Sequence, residues 1–241
     1  MRLGKLTCSL RSDHMTKSAL ILAAHPDDEV LGCGGTLAKL ADDGFVAHVA
    51  FLADGVTSRM DGSRKYEEEL SVRRTAAKSA CEILGARSVS FGTFLDNRMD
   101  TVALLDIAKT IEALILEHRP EMILTHHAGD VNVDHRRVHE ATVVACRPQS
   151  HNPVRTVLCF EVASSTEWQL PGSAPLFAPN WFVDISNTLS RKLAALEAYS
   201  AELRAWPHPR SMRGVEHLAR WRGATVGVDA AEAFVLGRRL A

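Results

Sequence analysis

The strongest constraint on this chain is a continuous apolar run at residues 18–24 (SALILAA), which gives way at once to His25-Pro26-Asp27-Asp28-Glu29 and then to a helical pattern. A strand that does not alternate apolar with polar residues is buried on both faces, and a parallel sheet covered by helices provides that environment. The rest of the chain repeats the theme. Strand patterns at 45–52, 88–91 and 122–125 alternate with helical patterns at 29–42, 66–84, 101–118 and 135–146, which end at Asp43-Gly44, Gly85, before Pro120 and before Pro148. Such repetition predicts an α/β fold, a three-layer Rossmann-like arrangement with a mainly parallel sheet and helices on both faces. Beyond residue 150 the rhythm changes: strands are expected at 156–162, 181–185 and 232–236, a helix at 187–205, and a long Ser-, Pro- and Gly-containing loop at 163–180. Loops of that length are commonly functional.

Composition narrows the classes. The 241 residues are 46% hydrophobic and 24% charged, with a formal net charge of -1. That balance suits a soluble globular protein and gives no general attraction to nucleic acid or to an anionic membrane. No window approaches a membrane span, and the first residues lack the apolar core of a secretory signal. Five scattered cysteines without a C-x-x-C pair (Cys8, Cys33, Cys81, Cys146, Cys159) read as reduced thiols and point to the cytoplasm. Residues 1–17 lack periodicity and are expected to be an N-terminal extension that need not be ordered, with Met15 an alternative start. Residues 18–241 are expected to form one domain, and a homo-oligomer is left open.

In an open parallel sheet, ligands bind beyond the carboxyl ends of the strands. His25-Pro26-Asp27-Asp28-Glu29 lies there after the first strand. The polar run His126-His127-Ala128-Gly129-Asp130-Val131-Asn132-Val133-Asp134-His135 lies there after strand 122–125. Catalytic zinc takes three His, Asp or Glu ligands and keeps a position open for water. Taken singly, the first run also fits a turn with a helix cap, and the second a solvated loop. Their joint placement favours a metal site. The run Gly32-Cys33-Gly34-Gly35 does not match the spacing of a dinucleotide-binding loop and falls inside the helix, so close helix–sheet packing explains it better.

Ala24-His25-Pro26-Asp27-Asp28-Glu29 resembles the signature of the PIG-L/LmbE-like N-deacetylases, zinc enzymes that remove acetyl groups from N-acetylated amino sugars. Asp130-x-Asn132-x-Asp134-His135-x-x-Val138 is similar to that family's second metal motif. Further matches are Arg73, Leu84-Gly85, Phe94-Leu95-Asp96-Asn97, residues 161–168 and His208-Pro209-Arg210-Ser211, so the likeness runs over nearly the whole chain. The resemblance implies a metal-dependent hydrolase of linear amide bonds, with His25, Asp28 and His135 binding Zn2+ and Asp27 as general base toward the activated water. A His2Asp set also accepts Fe2+ or another divalent ion. Many relatives carry a histidine where this chain has Asn132, which as a catalytic residue can donate a hydrogen bond but cannot act as an acid near neutrality. Asp134, His139 or His208 is then left to protonate the departing amine, with His208 either folded over the site or held in a rigid turn between Pro207 and Pro209. Arg73, Asp96 and Asn97 are expected to contact the sugar or its substituents, with solvated or capping roles as the alternative. Asp54 ends a strand on the same edge. Trp168 would stack on a sugar face or anchor its loop. His126 and His127 are expected to be supporting residues.

The implied substrate is a small-molecule amino sugar or glycoconjugate precursor of the N-acetylglucosamine type. A zinc amidase or esterase acting on a non-sugar acyl group and a non-catalytic metal- or sugar-binding module are the competing readings.

Overall fold

The computed structural model describes residues 17–59 and 66–241. The expected N-terminal extension falls, apart from Lys17, outside the described residues. The strands are β1 (Ser18–Ala23), β2 (Val46–Ala53), β3 (Ser88–Phe94), β4 (Met122–His126), β5 (Thr156–Phe160), β6 (Trp181–Asp184) and β7 (Ala231–Arg239). The helices are α1 (Asp28–Asp42), α2 (Tyr66–Leu84), α3 (Leu104–His118), α4 (Val133–Ala145), α5 (Leu189–Glu197) and α6 (Met212–Ala224).

One sheet holds all seven strands in the order β3-β2-β1-β4-β5-β7-β6. Strands β1 to β5 pair in parallel, and β7 runs antiparallel to both β5 and β6. The apolar run of β1 is explained by the two layers it separates. Ala19, Ile21 and Ala23 join a core with Leu37 of α1, Ala80 of α2 and Leu196 of α5. Leu20, Leu22 and Ala24 face the opposite core, with Ile107 and Ile111 of α3 and Val138 of α4. This is the expected α/β architecture with a mainly parallel sheet and helices on both faces.

The chain leaves β1 toward β2 on one side and returns through β4 on the other, so the carboxyl ends of β1 and β4 flank the topological switch point. Both polar runs are attached to these ends. The glycines after the first run serve close packing, as expected: a Cβ on Gly32 would stand 2.3 Å from the Phe160 ring, and one on Gly35 would stand 2.7 Å from Ile185. Helix α1 is broken within this stretch, since Cys33 has non-helical angles (φ -150°, ψ 23°).

Several boundaries differ from expectation. Strand β3 continues to Phe94, and a 3-10 turn (Met99–Thr101) precedes α3, which starts at Leu104. The helix expected over 187–205 stops at Glu197, and the following turns direct Tyr199 and Glu202 toward the site. Helix α6 has no counterpart in the sequence reading. Its buried positions are Val215, Ala219 and Gly223, so its inner stripe is made of small residues and gives little hydrophobic signal.

Candidate metal centre and active-site cleft

The turn between β1 and α1 carries three functional groups within four residues. Asp27 sits at φ 111°, in the region that L-residues with a side chain rarely adopt. This conformation sends Asp27 and Asp28 in different directions. The Asp28 carboxylate turns back, accepting the His25 N–H at 2.8 Å. Its Oδ2 then stands 3.5 Å from His25 Nδ1, 3.3 Å from His135 Nε2 and 3.5 Å from His126 Nε2.

His25, Asp28 and His135 therefore bring one ligand atom each to a common centre, within 4.8 Å of one another, and all three are buried. The far nitrogen of each histidine is held by a carboxylate. His25 Nε2 lies 2.9 Å from Asp134 Oδ2 and 3.0 Å from Asp96 Oδ1. His135 Nδ1 lies 3.2 Å from Asp130 Oδ2. A carboxylate behind the histidine fixes tautomer and ring orientation in metal sites, so the inward nitrogen is left free to bind. The donor set thus fits a divalent cation.

A second grouping, His25 with Asp96 and Asp134, is equally compact. Both Asp134 oxygens, however, accept backbone N–H groups, from Asn97 at 2.7 Å and Met99 at 2.9 Å. That carboxylate is occupied in orienting His25 and closing the β3–α3 connection. Asp134, offered as a proton donor, is thus placed behind His25 and sealed from solvent.

The electrostatics agree with a cation-demanding centre. Burial favours the neutral His135 ring, but Asp28 and Asp130 outweigh it and push the ring up to about 9. Against its own burial, Asp28 is held well below the usual carboxylate range by His135 and His126. His126 is kept neutral by burial and by the neighbouring His135. Its Nε2 accepts the Ala24 N–H at 2.8 Å and its ring stacks on His135 at 3.9 Å, the supporting role expected of it. His127 likewise braces its own loop, accepting the Gly129 N–H at 3.1 Å. His139 contacts the His126 carbonyl at 2.9 Å and is absent from the cleft lining.

Asp27 lies beside the donor set. Burial raises its carboxyl above the usual range, the Arg210 guanidinium opposes this, and Asp28 adds to the rise. Arg210 approaches Asp27 Oδ2 at 3.2 Å and donates to Ser164 Oγ at 3.1 Å. Arg73 Nη1 is 3.9 Å from the same oxygen. Its guanidinium, though, is engaged by Glu202 at 2.5 Å and by the Pro26 carbonyl at 3.2 Å, and the side chain is only 8% exposed. Arg73, the residue expected to bind substrate, thus braces the Asp27 turn and also lines the cleft. Behind Asp27, Glu29 accepts the Asp27 N–H at 3.0 Å and the Tyr199 hydroxyl at 2.6 Å; burial lifts its carboxyl to about 8.

The cleft above these groups has a volume of about 330 Å³. Its walls include Asp96, Asn97, Asn132 and Trp168. Asn132 caps α4 through Oδ1, which accepts the Asp134 N–H at 2.8 Å, and donates from Nδ2 to Asn97 Oδ1 at 3.1 Å. Asp54 organises the loop behind Asp96 by accepting the Val56 and Thr57 N–H groups at 3.0 and 3.1 Å. His208 is not folded over the cleft. Its Nδ1 accepts the Arg210 N–H at 3.1 Å within its own turn, and its ring meets Trp168 edge-on at 5.6 Å. The adjoining Arg210 enters the cleft instead. Sequence reasoning did not single out Arg210 or Asp130 as site residues; each was visible only as part of a matching segment. Asp130 is fixed by the hydroxyls of Ser165 and Thr166, from the segment after β5.

The comparisons agree with this geometry. Residues 20–146 match the family model described as PIG-L, GlcNAc-PI de-N-acetylase. The chain is 30% identical over 198 residues to the uncharacterized deacetylase YaiS of Escherichia coli, an alignment covering 80% of this chain and 95% of that protein. It is 28% identical over 197 residues to a probable N-acetyl-alpha-D-glucosaminyl L-malate deacetylase 2 of Bacillus cereus, covering 79% and 86% of the two chains. The solved structure of the 4-carboxy-2-hydroxymuconate hydratase of Pseudomonas putida KT2440 superposes with a TM-score of 0.74 at 25% identity, over 94% of this chain and 98% of that one. With its sheet order, its paired His/Asp loops and a matched span reaching from β1 through α4, this chain belongs to the PIG-L family of GlcNAc-type de-N-acetylases.

Proposed function

We propose that the protein is a divalent-metal-dependent hydrolase, zinc being the first candidate, that removes the acetyl group from an N-acetylglucosamine-type sugar or glycoconjugate precursor. The observation that carries this reading is the position of Asp27. A buried carboxylate with a raised pKa stands beside, and outside, a His2Asp donor set at the floor of a polar cleft. His25, Asp28 and His135 would hold the cation, which when bound polarises an amide carbonyl and makes nearby water more acidic.

Asp27 accepts the proton of the attacking water. Among the described residues, the other ionisable groups of the cleft wall are donor-set members, Asp96, which faces His25, and two arginines, whose side chains carry hydrogen-bond donors and no acceptor. The same Asp27 carboxyl then returns its proton to the departing amine, which resolves the gap left by Asn132. Arg210 steadies the Asp27 carboxylate and offers a cation toward the substrate. Asp96, Asn97 and Trp168 present hydrogen-bonding groups and an aromatic face to a sugar ring. Residues 18–241 would act as one unit, because the donor set is drawn from the β1–α1 and β4–α4 connections and Arg210 from the segment before α6.

The test is acetate release from a panel of N-acetylated amino sugars by zinc-loaded protein, wild type beside Asp27→Asn. Turnover that falls by about 10²–10⁴ in the variant supports the reading. No release from any of the sugars by wild type sinks it. A second reading, water addition to an unsaturated carboxylate, is favoured by Arg210 at the cleft and by the similarity to the hydratase. An unsaturated dicarboxylate in the same panel separates the two.

A further inference from the structure

Helix α1 is interrupted at Cys33, and the interruption is filled by a charge pair from two other elements. In a continuous helix the Gly35 N–H would bond to the Leu31 carbonyl. Here the Gly35 N–H goes to Glu232 Oε1 of β7 at 2.9 Å, and the Leu31 carbonyl accepts from Lys192 Nζ of α5 at 2.9 Å. Lys192 Nζ and Glu232 Oε1 meet at 2.5 Å, and Glu232 Oε2 takes the Thr36 N–H at 2.7 Å. The pair thus replaces one broken backbone hydrogen bond. An ammonium caps the carboxyl end of the first turn and a carboxylate caps the amino end of the remainder, each with the favourable sense for the helix dipole.

Both side chains are 4% exposed, and burying an ion pair brings little or no net stability compared with apolar residues of the same volume. What the pair does define is geometry. Leu31 is held at its carbonyl by Lys192, while its N–H bonds to the Asp27 carbonyl at 3.0 Å. Asp27 in turn keeps its unfavourable φ of 111°. The first turn, which carries Asp28, is therefore tied directly to α5 through Lys192, and through the Lys192–Glu232 contact to the carboxylate of β7 that caps the remainder of α1.

We propose that Lys192 and Glu232 are positioning residues that set the Asp27–Asp28 turn against His25 and His135. The inference rests on the metal-site reading above. Co2+ serves as probe, because its visible absorption reports ligand geometry apart from turnover. The dissociation constant and spectrum of Co2+, the melting temperature, and kcat and KM for acetate release are measured for wild type, Glu232→Gln and the double variant Lys192→Met/Glu232→Gln. The double variant strands no charge, so it is expected to fold even if the single one does not. Leu196→Ala, which opens a cavity one turn along α5 from Lys192 but keeps both members of the pair, is the control for lost stability.

The expected result is Co2+ binding weakened by about tenfold with displaced absorption bands, the scale on which residues behind the ligands act. A matching fall in kcat with KM nearly constant is expected in the pair variants and not in Leu196→Ala. A double variant that folds and keeps wild-type Co2+ affinity, spectrum and kcat overturns the proposal. The metal-site reading fails separately, and takes this inference with it, if wild type does not bind Co2+ or if His135→Ala binds it as tightly.

Discussion

The β1–α1 turn and the segment 205–211 supply the two partners of one ion pair in the cleft, Asp27 and Arg210, by different means. In the turn, Asp27 and Asp28 are 3% and 1% exposed, and their backbone is braced by Glu29, Arg73 and the interrupted helix. In the segment, Arg210 reaches Asp27 from 183 residues away; its side chain is 17% exposed and steadied by Ser164. The groups of the turn are buried, and its backbone is hydrogen-bonded to side chains packed behind it. The rim is adjustable, because its cation is partly solvated and held by one hydroxyl and one carboxylate. In the function proposed above, the chemistry would belong to the turn and substrate choice to the rim.

The sharpest way to break this contrast is at the donor set. Asp28→Ala removes the carboxylate on which the histidines converge and is expected to abolish stoichiometric metal binding, with activity near background. Equilibrium dialysis with metal analysis checks it, and retained metal would show that the turn is not the anchor.

Next comes the buried carboxyl behind the turn. The folded-state pKa of Glu29 is raised to about 8 from an ordinary value of 4.5. Between these values the folded protein holds a proton that the unfolded chain has released, so the stabilising contribution falls as pH rises through that window. Glu29→Gln is expected to flatten the decline of melting temperature from pH 5 to 8, an effect on the order of a few kcal/mol at the upper end. Parallel pH profiles for wild type and variant would contradict the burial argument.

At the rim, Arg210→Gln is expected to lower kcat/KM by about tenfold, as loss of one charge-assisted contact does. Removing a cation also raises the Asp27 pKa, and the base must be ionised, so the acidic limb of the kcat/KM profile moves to higher pH. An unmoved limb would mean that Arg210 serves substrate binding alone. The smallest effect is expected at Trp168, which is 52% exposed. Trp168→Ala should raise KM a few-fold for a sugar and leave kcat unchanged, consistent with the loss of about 1 kcal/mol of stacking. A fall in kcat with constant KM would move Trp168 from the rim to the chemistry.

The same division explains what could be read in advance. The β1–α1 turn is local: an apolar strand, five consecutive residues and a helix start place His25, Asp27 and Asp28 at a strand end before any contact is known. His135 follows in the same way after β4. Helix α6 was illegible because its inner face is Val215, Ala219 and Gly223, a narrow stripe in which Gly223 is buried by close approach to the Val228 carbonyl and gives no hydrophobic signal. For Asp134 and His208, sequence spacing gave no sight of where the side chains lie. One is buried behind His25, and the other turns its ring nitrogen into its own loop while the neighbouring Arg210 enters the cleft.

By itself, the sequence determined the parallel sheet and a polar run at the end of each of two strands, because side-chain period and chain order suffice for both; that these strands are neighbours came from the fold. Only the tertiary structure decided which ring nitrogen faces the centre, which carboxylates stand behind, and which cation reaches Asp27. Those depend on partners that meet across β4–α4, the segment after β5 and the turn before α6, where the distances between side chains have no expression in sequence spacing.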